Sequence, residues 1–257
     1  MDQRAAAEHL RRLHDDPDVL VLVNVWDAAS ARAIAAVAGC RAIATASHAI
    51  ANSFGYDDGQ HIPVDLMIDA VGRIVAAVAL PVTADLEAGY GNPGETIRRA
   101  LGVGVVGANL EDAMAPLADS VAAVEAAVAA GAAEGIALVL NARTDVYLQP
   151  GGRDADEQLA EAIARGRAFL DAGASCVFVP GRHDAQTAAA LVEGIGLRKV
   201  SVLAGPASAT PAEFAAAGVA RISYGPWPHR AALTALADVG TSLFGGAELP
   251  ADIRSFG

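Results

Sequence analysis

Along the chain, helical patterns alternate with short apolar runs. A helical stretch ends at a small residue or glycine and a strand-like run follows, as in "AAVAGCRAIAT", "LDAGASCVFVP" and "AAAGVARISYG". Glycine just past the last helical residue is the usual stop, because it takes left-handed backbone at no steric cost. The pattern predicts eight strands, at 20–24, 41–46, 81–87, 107–111, 137–143, 176–180, 200–204 and 221–225. Helical stretches such as "DSVAAVEAAVAA" and "DEQLAEAIARGRAFLDA" lie between them. Near-continuously apolar strands are buried on both faces, which implies a parallel sheet. Eight β-α units in 257 residues predict the α/β class and a closed (β/α)8 TIM-type barrel. One domain is expected over 1–257, with a short N-terminal helix and a short C-terminal tail. A doubly wound open sheet would carry a glycine-rich phosphate loop after the first strand, and "NVWDAASARAI" has none.

Composition refines this picture. Apolar residues make up 53% and aromatics 5%, and the large alanine share predicts helices packed closely through small side chains. The net charge of −12 argues against a nucleic-acid partner, which calls for a basic stripe. No apolar run is long enough to span a bilayer, and the start "MDQRAAAEHLRRLHDDPD" lacks a signal-peptide core. A cytoplasmic location is expected. Cys40 and Cys176 form no metal or redox spacing and read as buried thiols.

Active sites of such barrels lie at the C-terminal ends of the strands. Those ends carry Asn24, Trp26 and Asp27; Ser47, His48, Asp57 and Asp58; Asp85 and Glu87; Glu111 and Asp112; and Arg143 and Asp145. In an extended segment residues i and i+2 share a face. Asp85 and Glu87 are therefore expected to point into the barrel together, with Leu86 packed outward and Glu111 joining from the next strand. Carboxylates this close raise each other's pKa unless a cation intervenes. Oxygen-only ligands suit Mg²⁺ or Mn²⁺ better than zinc. Arg143 offers a fixed fork for a carboxylate or phosphate. Asp27 reads equally as a helix N-cap, and Asp112 and Asp145 as caps or arginine partners. His48 is either a pocket wall or a catalytic group. His9, His14, His61, His183 and His229 read as surface or supporting residues, and Tyr90 as pocket wall or turn.

The segments "NVWDAASARAIAAVAGCRAIATAS", "SFGYDDG", "TADLEAGYGN", "GANLEDA" and "NARTDVYL" resemble the isocitrate lyase/phosphoenolpyruvate mutase superfamily, from about residue 20 to about residue 235. The resemblance implies a Mg²⁺-binding barrel that cleaves, forms or rearranges a C–C or P–C bond beside the oxo carbon of a small 2-oxo acid. It implies Asp85, Glu87 and Glu111 as the metal set. Glu87 stands where many members have aspartate and reaches the ion directly or through water, and Glu111 reaches it through water. Asp58 lies near metal and substrate. Trp26, Ala46, Ser47, Arg143 and Gly205 are expected to face the substrate, and Asp58, Arg143 and His48 to form the catalytic set. A homo-oligomer, dimer or tetramer, is also implied.

Two departures narrow the expectation. The lyases' "K-K-C-G-H" lid is missing: the chain runs "LEDAMAPLADSVAAVEAA", and the helix is expected to begin near Asp119. This argues against an isocitrate or methylisocitrate lyase. Ser201 stands in "VSVLAGP" where relatives often have asparagine. The expected activity is that of a carbon-carbon lyase or oxaloacetate-type decarboxylase on a 2-oxo or 2-hydroxy acid. The alternatives are a P–C bond enzyme acting on phosphonopyruvate and a non-catalytic 2-oxo acid binder.

Overall fold

In the computed structural model, which describes residues 2–256, nine parallel strands form one sheet wound into a nearly closed barrel. They are β1 (Leu20–Leu22), β2 (Asn24–Val25), β3 (Ile43–Thr45), β4 (Val82–Asp85), β5 (Gly107–Glu111), β6 (Val139–Arg143), β7 (Cys176–Val179), β8 (Val200–Leu203) and β9 (Arg221–Ser223). The first predicted strand is two segments. β1 pairs with β9 and β2 with β3, so one bent stretch joins the two sides of the barrel. Asn24 sits at the bend and clasps both sides. Its amide nitrogen donates to Thr45 O, and its Oδ1 accepts from the backbone N–H groups of Tyr224 and Gly225.

Ten helices alternate with the strands: α1 (Gln3–Asp15), α2 (Ala28–Ala35), α3 (Ser47–Ser53), α4 (Val64–Ala77), α5 (Pro93–Gly102), α6 (Leu117–Ala133), α7 (Ala155–Asp171), α8 (Ala185–Ile195), α9 (Pro211–Ala216) and α10 (Trp227–Phe244). Several start where the sequence supplies a side-chain acceptor for orphaned N–H groups. Asp27 and Ser30 form a capping box on α2, as do Asp154 and Glu157 on α7 and Thr210 and Glu213 on α9. Gly173 (φ 100°) and Gly218 (φ 85°) turn the chain left-handed after α7 and α9, just before β7 and β9.

Helix α1 covers the end of the barrel opposite the strands' carboxyl ends. Ala6, Ala7, Leu10 and Leu13 are buried there, and Gln3 Nε2 donates to Leu101 O and Val105 O. His14 is buried as well. Desolvation, with Arg221 and then Lys199 adding repulsion, pushes its pKa down to about 4, so it is neutral at pH 7. His183 and His229 are also buried supporting residues. At the far end of the chain, α10 leaves Leu233, Leu236, Leu243 and Phe244 exposed.

Several strands are shorter than expected by one or two residues at an end, and two of the differences in boundary bear on the site. β4 ends at Asp85 rather than running to Glu87, because Glu87 takes a left-handed conformation (φ 52°). The fourth barrel helix, α6, begins at Leu117, two residues before Asp119.

Gly107 opens β5 where α1 presses on the barrel. A Cβ there would lie 2.7 Å from Leu10 Cδ2 and 3.0 Å from both Thr83 Oγ1 and Val139 O. Two of these neighbours belong to strands that cannot retreat. Gly107→Val is expected to destabilise the protein by about 1–3 kcal/mol through overpacking, read by urea denaturation. An unchanged midpoint would refute this account of the plug.

Candidate active site

The strands' carboxyl ends open on a cavity of about 230 Å³. Of the residues the sequence nominated, Ala46, Ser47, His48, Asp58, Asp85 and Arg143 line it. Trp26 and Gly205 are not among its lining residues. Trp26 packs edge-on against His229 of α10, with ring centroids 4.8 Å apart. Gly205 lies against the Trp227 indole in the loop between β8 and α9, where a Cβ would meet Nε1 at 2.5 Å. Both residues hold α10 at the edge of the barrel. Glu111 ends β5 and Glu87 follows the end of β4 by two residues, and neither is among the cavity's lining residues.

Arg143, at the end of β6, is a cation that lines the cavity. Its NH1 lies 2.8 Å from Glu111 Oε2, and its Nε donates to Asp145 Oδ1 at 2.6 Å. Its guanidinium lies 6.0 Å from the Phe178 ring centroid. Burial alone would lower its pKa, but Glu111, Asp145 and Asp85 outweigh that and hold it protonated. Burial pushes the Glu111 carboxyl up while Arg143 pulls it down. A neutral Glu111 would not hold a guanidinium up, so the two tendencies conflict. The 2.8 Å contact favours the ionised pair.

Ser47 opens α3, and its backbone N–H and hydroxyl both donate to Asp85 Oδ2, at 3.1 and 2.8 Å. Thr45 Oγ1 accepts from Asp85 N at 2.9 Å. Glu87 is 3% exposed, and the Tyr90 hydroxyl lies 3.4 Å from its Oε1. Burial, then the nearby Asp85 and Asp58, push the Glu87 carboxyl up to about 7. His48 Nδ1 lies 3.5 Å from Asp58 Oδ2 at the cavity rim.

A divalent cation is the group the sequence resemblance implies. Two buried carboxylate oxygens, Asp85 Oδ1 and Glu87 Oε2, have no hydrogen-bond partner. An uncompensated buried carboxylate oxygen is costly, and an oxygen-only donor set suits Mg²⁺ or Mn²⁺. The residues fit such an ion through Asp85 and Glu87. The expected convergence of three acids is not found: among the described residues no three His, Cys, Asp or Glu side chains gather at metal-binding distance. Glu111 is paired with Arg143 instead.

The loop from β5 to α6 is short and pinned. Ala113 (φ 44°) and Met114 (φ 58°) are both left-handed. Asp112 holds them: its Oδ1 accepts from Met114 N and Asp145 N, each at 3.0 Å, and its Oδ2 meets Arg165 NH1 at 3.0 Å. Arg165 also donates to Ala115 O and to Glu161. Asp112 and Asp145 thus take the arginine-pairing role that the sequence left open, and Asp27 takes the cap.

Sequence reasoning missed Asn109, Phe178 and Arg230, which also line the cavity. Asn109 had a signal, because it precedes Glu111 by two residues on the same strand. Arg230 had none, because it comes from α10.

The model of the phosphoenolpyruvate phosphomutase family matches residues 10–244. The chain belongs to that family. An uncharacterized protein of Mycobacterium tuberculosis, Rv1998c, is 31% identical over 242 residues, 94% of this chain and 91% of its own length. Oxaloacetate decarboxylase of Paraburkholderia xenovorans is 27% identical over 248 residues, 89% of this chain and 79% of its own. Among solved structures, oxaloacetate acetylhydrolase in complex with the product oxalate superposes with TM-score 0.86 at 25% identity, covering 97% of this chain and 91% of its own. Family members so named include hydrolytic, decarboxylating and phosphomutase enzymes. No helix of the described residues is long and apolar enough to cross a membrane.

Removing Arg165 would leave Asp112 buried without a countercharge. Arg165→Met is expected to destabilise this family member by about 3–5 kcal/mol in urea denaturation. A midpoint within error of the parent would remove the ion pair from its structural role. The Glu87 carboxyl also has a pH consequence. Its folded pKa is raised from 4.5 to about 7, so the folded state holds the proton more tightly than the unfolded chain. Its contribution is full below about pH 4.5 and lost as pH rises through about 7. In EDTA, thermal stability should fall across that window, and Glu87→Gln should flatten the fall. An identical pH profile for the two proteins would contradict the assignment.

Proposed function

We propose that this protein is a divalent-metal-dependent carbon-carbon lyase or decarboxylase of a small 2-oxo acid, with an oxaloacetate-like diacid as the leading substrate. The observation that carries the reading is the pair of unpartnered carboxylate oxygens, Asp85 Oδ1 and Glu87 Oε2, the first on a residue that lines a small cavity together with Arg143. Asp85 and Glu87 would hold the ion, with Glu111 supporting through water. When bound, such an ion supplies Lewis-acid stabilisation of oxygen charge that develops as the bond breaks.

The chain's own groups do the rest. Arg143 binds a substrate carboxylate and is kept charged by its acidic neighbours. The backbone N–H and hydroxyl of Ser47 are the second set of donors. Phe178, Leu148, Pro180 and Leu203 form apolar wall that limits water around the reacting bond. As the C–C bond breaks, its electron pair moves toward the oxo oxygen, and a proton then returns to the carbon. His48, beside Asp58 at the rim, is positioned to hold that proton. The loop of residues 112–116, "DAMAP", offers no cysteine, lysine or histidine, which weighs against the lyases that use a lid cysteine.

The P–C reading has one supporting feature, Arg230, a second cation lining the cavity. Family membership allows it, and the retained oxo-acid donors do not distinguish it.

Turnover of oxaloacetate, methylisocitrate and phosphonopyruvate, with Mg²⁺ and with EDTA, tests the proposal. Pyruvate should form from oxaloacetate and stop with EDTA, and Arg143→Lys should lower kcat/KM by about tenfold to a hundredfold. Phosphate release from phosphonopyruvate would favour the P–C reading. Tight binding without turnover would favour a binding protein, and EDTA-indifferent turnover would end the metal assignment.

A further inference from the structure

The barrel interior below the cavity is polar, and its polarity is organised around one fully buried cation. Arg221, on β9, is 1% exposed. No carboxylate lies within salt-bridge distance of it among the described residues. Its NH2 donates to Asn109 Oδ1 at 3.3 Å, and its Nε and NH1 have no partner. Asn141 Nδ2 donates to the same Asn109 oxygen at 2.8 Å and lies 3.4 Å from Ser201 Oγ.

This arrangement fixes which way the Asn109 amide points. A guanidinium has only donors, so the Asn109 atom facing Arg221 must be the oxygen. The opposite orientation would set an amide N–H₂ against a guanidinium in a buried site and leave donor facing donor. With Oδ1 turned inward, Nδ2 is left as the remaining polar atom, and it makes no hydrogen bond to the described residues. Asn109 lines the cavity. Its N–H₂ group is therefore a donor presented at the cavity floor, opposite in level to Arg143 at the strand's end two residues above Asn141.

We infer that Asn109 is a substrate-binding and specificity residue, which donates to a second oxygen function of the ligand while Arg143 takes the first, and that Arg221 is the positioning residue that locks it. The inference rests on reading the cavity as a small-acid site. It narrows the substrate class to short acids with acceptor oxygens at both ends, and disfavours acids whose far end is apolar. Ser201 stands beside Asn141 in the same network, so the serine in β8 supports the lock from below.

The test uses calorimetry on the Mg²⁺-loaded full chain with two probes: oxalate, which has acceptors at both ends, and propionate, which has them at one. The variants are Asn109→Asp and Asn109→Leu. Asn109→Asp keeps an acceptor for Arg221 and Asn141, so it should fold with an undiminished melting temperature, yet it replaces the donor facing the cavity. Oxalate affinity should fall by about tenfold to a hundredfold in both variants, the loss expected for one hydrogen bond to a charged group. Propionate affinity in Asn109→Leu should stay within about twofold. Adding Arg221→Met to Asn109→Leu should produce no further loss for oxalate, because the group that Arg221 orients is already gone. Unchanged oxalate binding in a folded Asn109→Leu or Asn109→Asp protein would overturn the inference and leave the proposed function standing. A further additive loss from Arg221→Met would overturn the locking role. A parent protein that neither binds oxalate nor turns over a 2-oxo acid would overturn both.

Discussion

Burying charge governs how the mouth of this barrel is built. Acids end β4 and β5 or follow them within two residues, and water there is limited by apolar wall. Each carboxylate must find a donor, and the structure shows how they do so in turn. Asp112 takes Arg165, Glu111 and Asp145 share Arg143, and Asp85 takes the N–H and hydroxyl of Ser47. Donors run out before oxygens do. The remainder is one oxygen on Asp85 and one on Glu87. That remainder, rather than the number of acids, marks the place where a cation fits.

The same constraint shapes the backbone. The left-handed residues Glu87, Ala113 and Met114 all lie directly after strand ends, where the chain turns to bring a carboxylate or its donor into position. Such conformations are unfavourable for residues with a Cβ and persist only when neighbours hold them. For Ala113 and Met114 the neighbour is Asp112, tied in turn to a helix 53 residues further along the chain. The short loop over the site is thus stiffened by a pair of charges, and Asp145, the partner of Arg143, is tied to the same carboxylate.

Much of this was legible in the sequence. Alternating helical and apolar runs with glycine stops gave the eight β-α units, and acids at successive strand ends gave the location of the site. Asp27 was readable as a cap because capping is local. What stayed hidden depends on contacts distant along the chain. The split of the first strand follows from Asn24 bonding to β3 and to the residues after β9, and no local pattern announces that. The inward alternation of β4 was read one pair too far, since a left-handed Glu87 ends the period. Glu111 was expected to reach the ion through water; its pairing with Arg143 of β6 is a contact that the sequence did not announce. The resemblance assigned Trp26 and Gly205 to the substrate; the structure sets Trp26 against His229 and Gly205 against Trp227, both of α10, neighbours that no local pattern announces. The polar barrel interior of Asn109, Asn141, Ser201 and Arg221 was obscured because its members come one each from four strands that are far apart in sequence.

The contact between Ser47 and Asp85 has a thermodynamic side. Two donors of Ser47 rest on one oxygen of Asp85, and under the proposed function an incoming carboxylate would use the same donors. They cannot serve both fully. Anything that draws negative charge density of Asp85 toward itself loosens its hold on Ser47, and anything that occupies Ser47 releases Asp85. An ion on one side and an acid on the other would therefore strengthen each other's binding, and by reciprocity the factor must be identical in either direction. Under the proposed function, a single hydroxyl and a single amide, shared between two anions, would set that cooperativity.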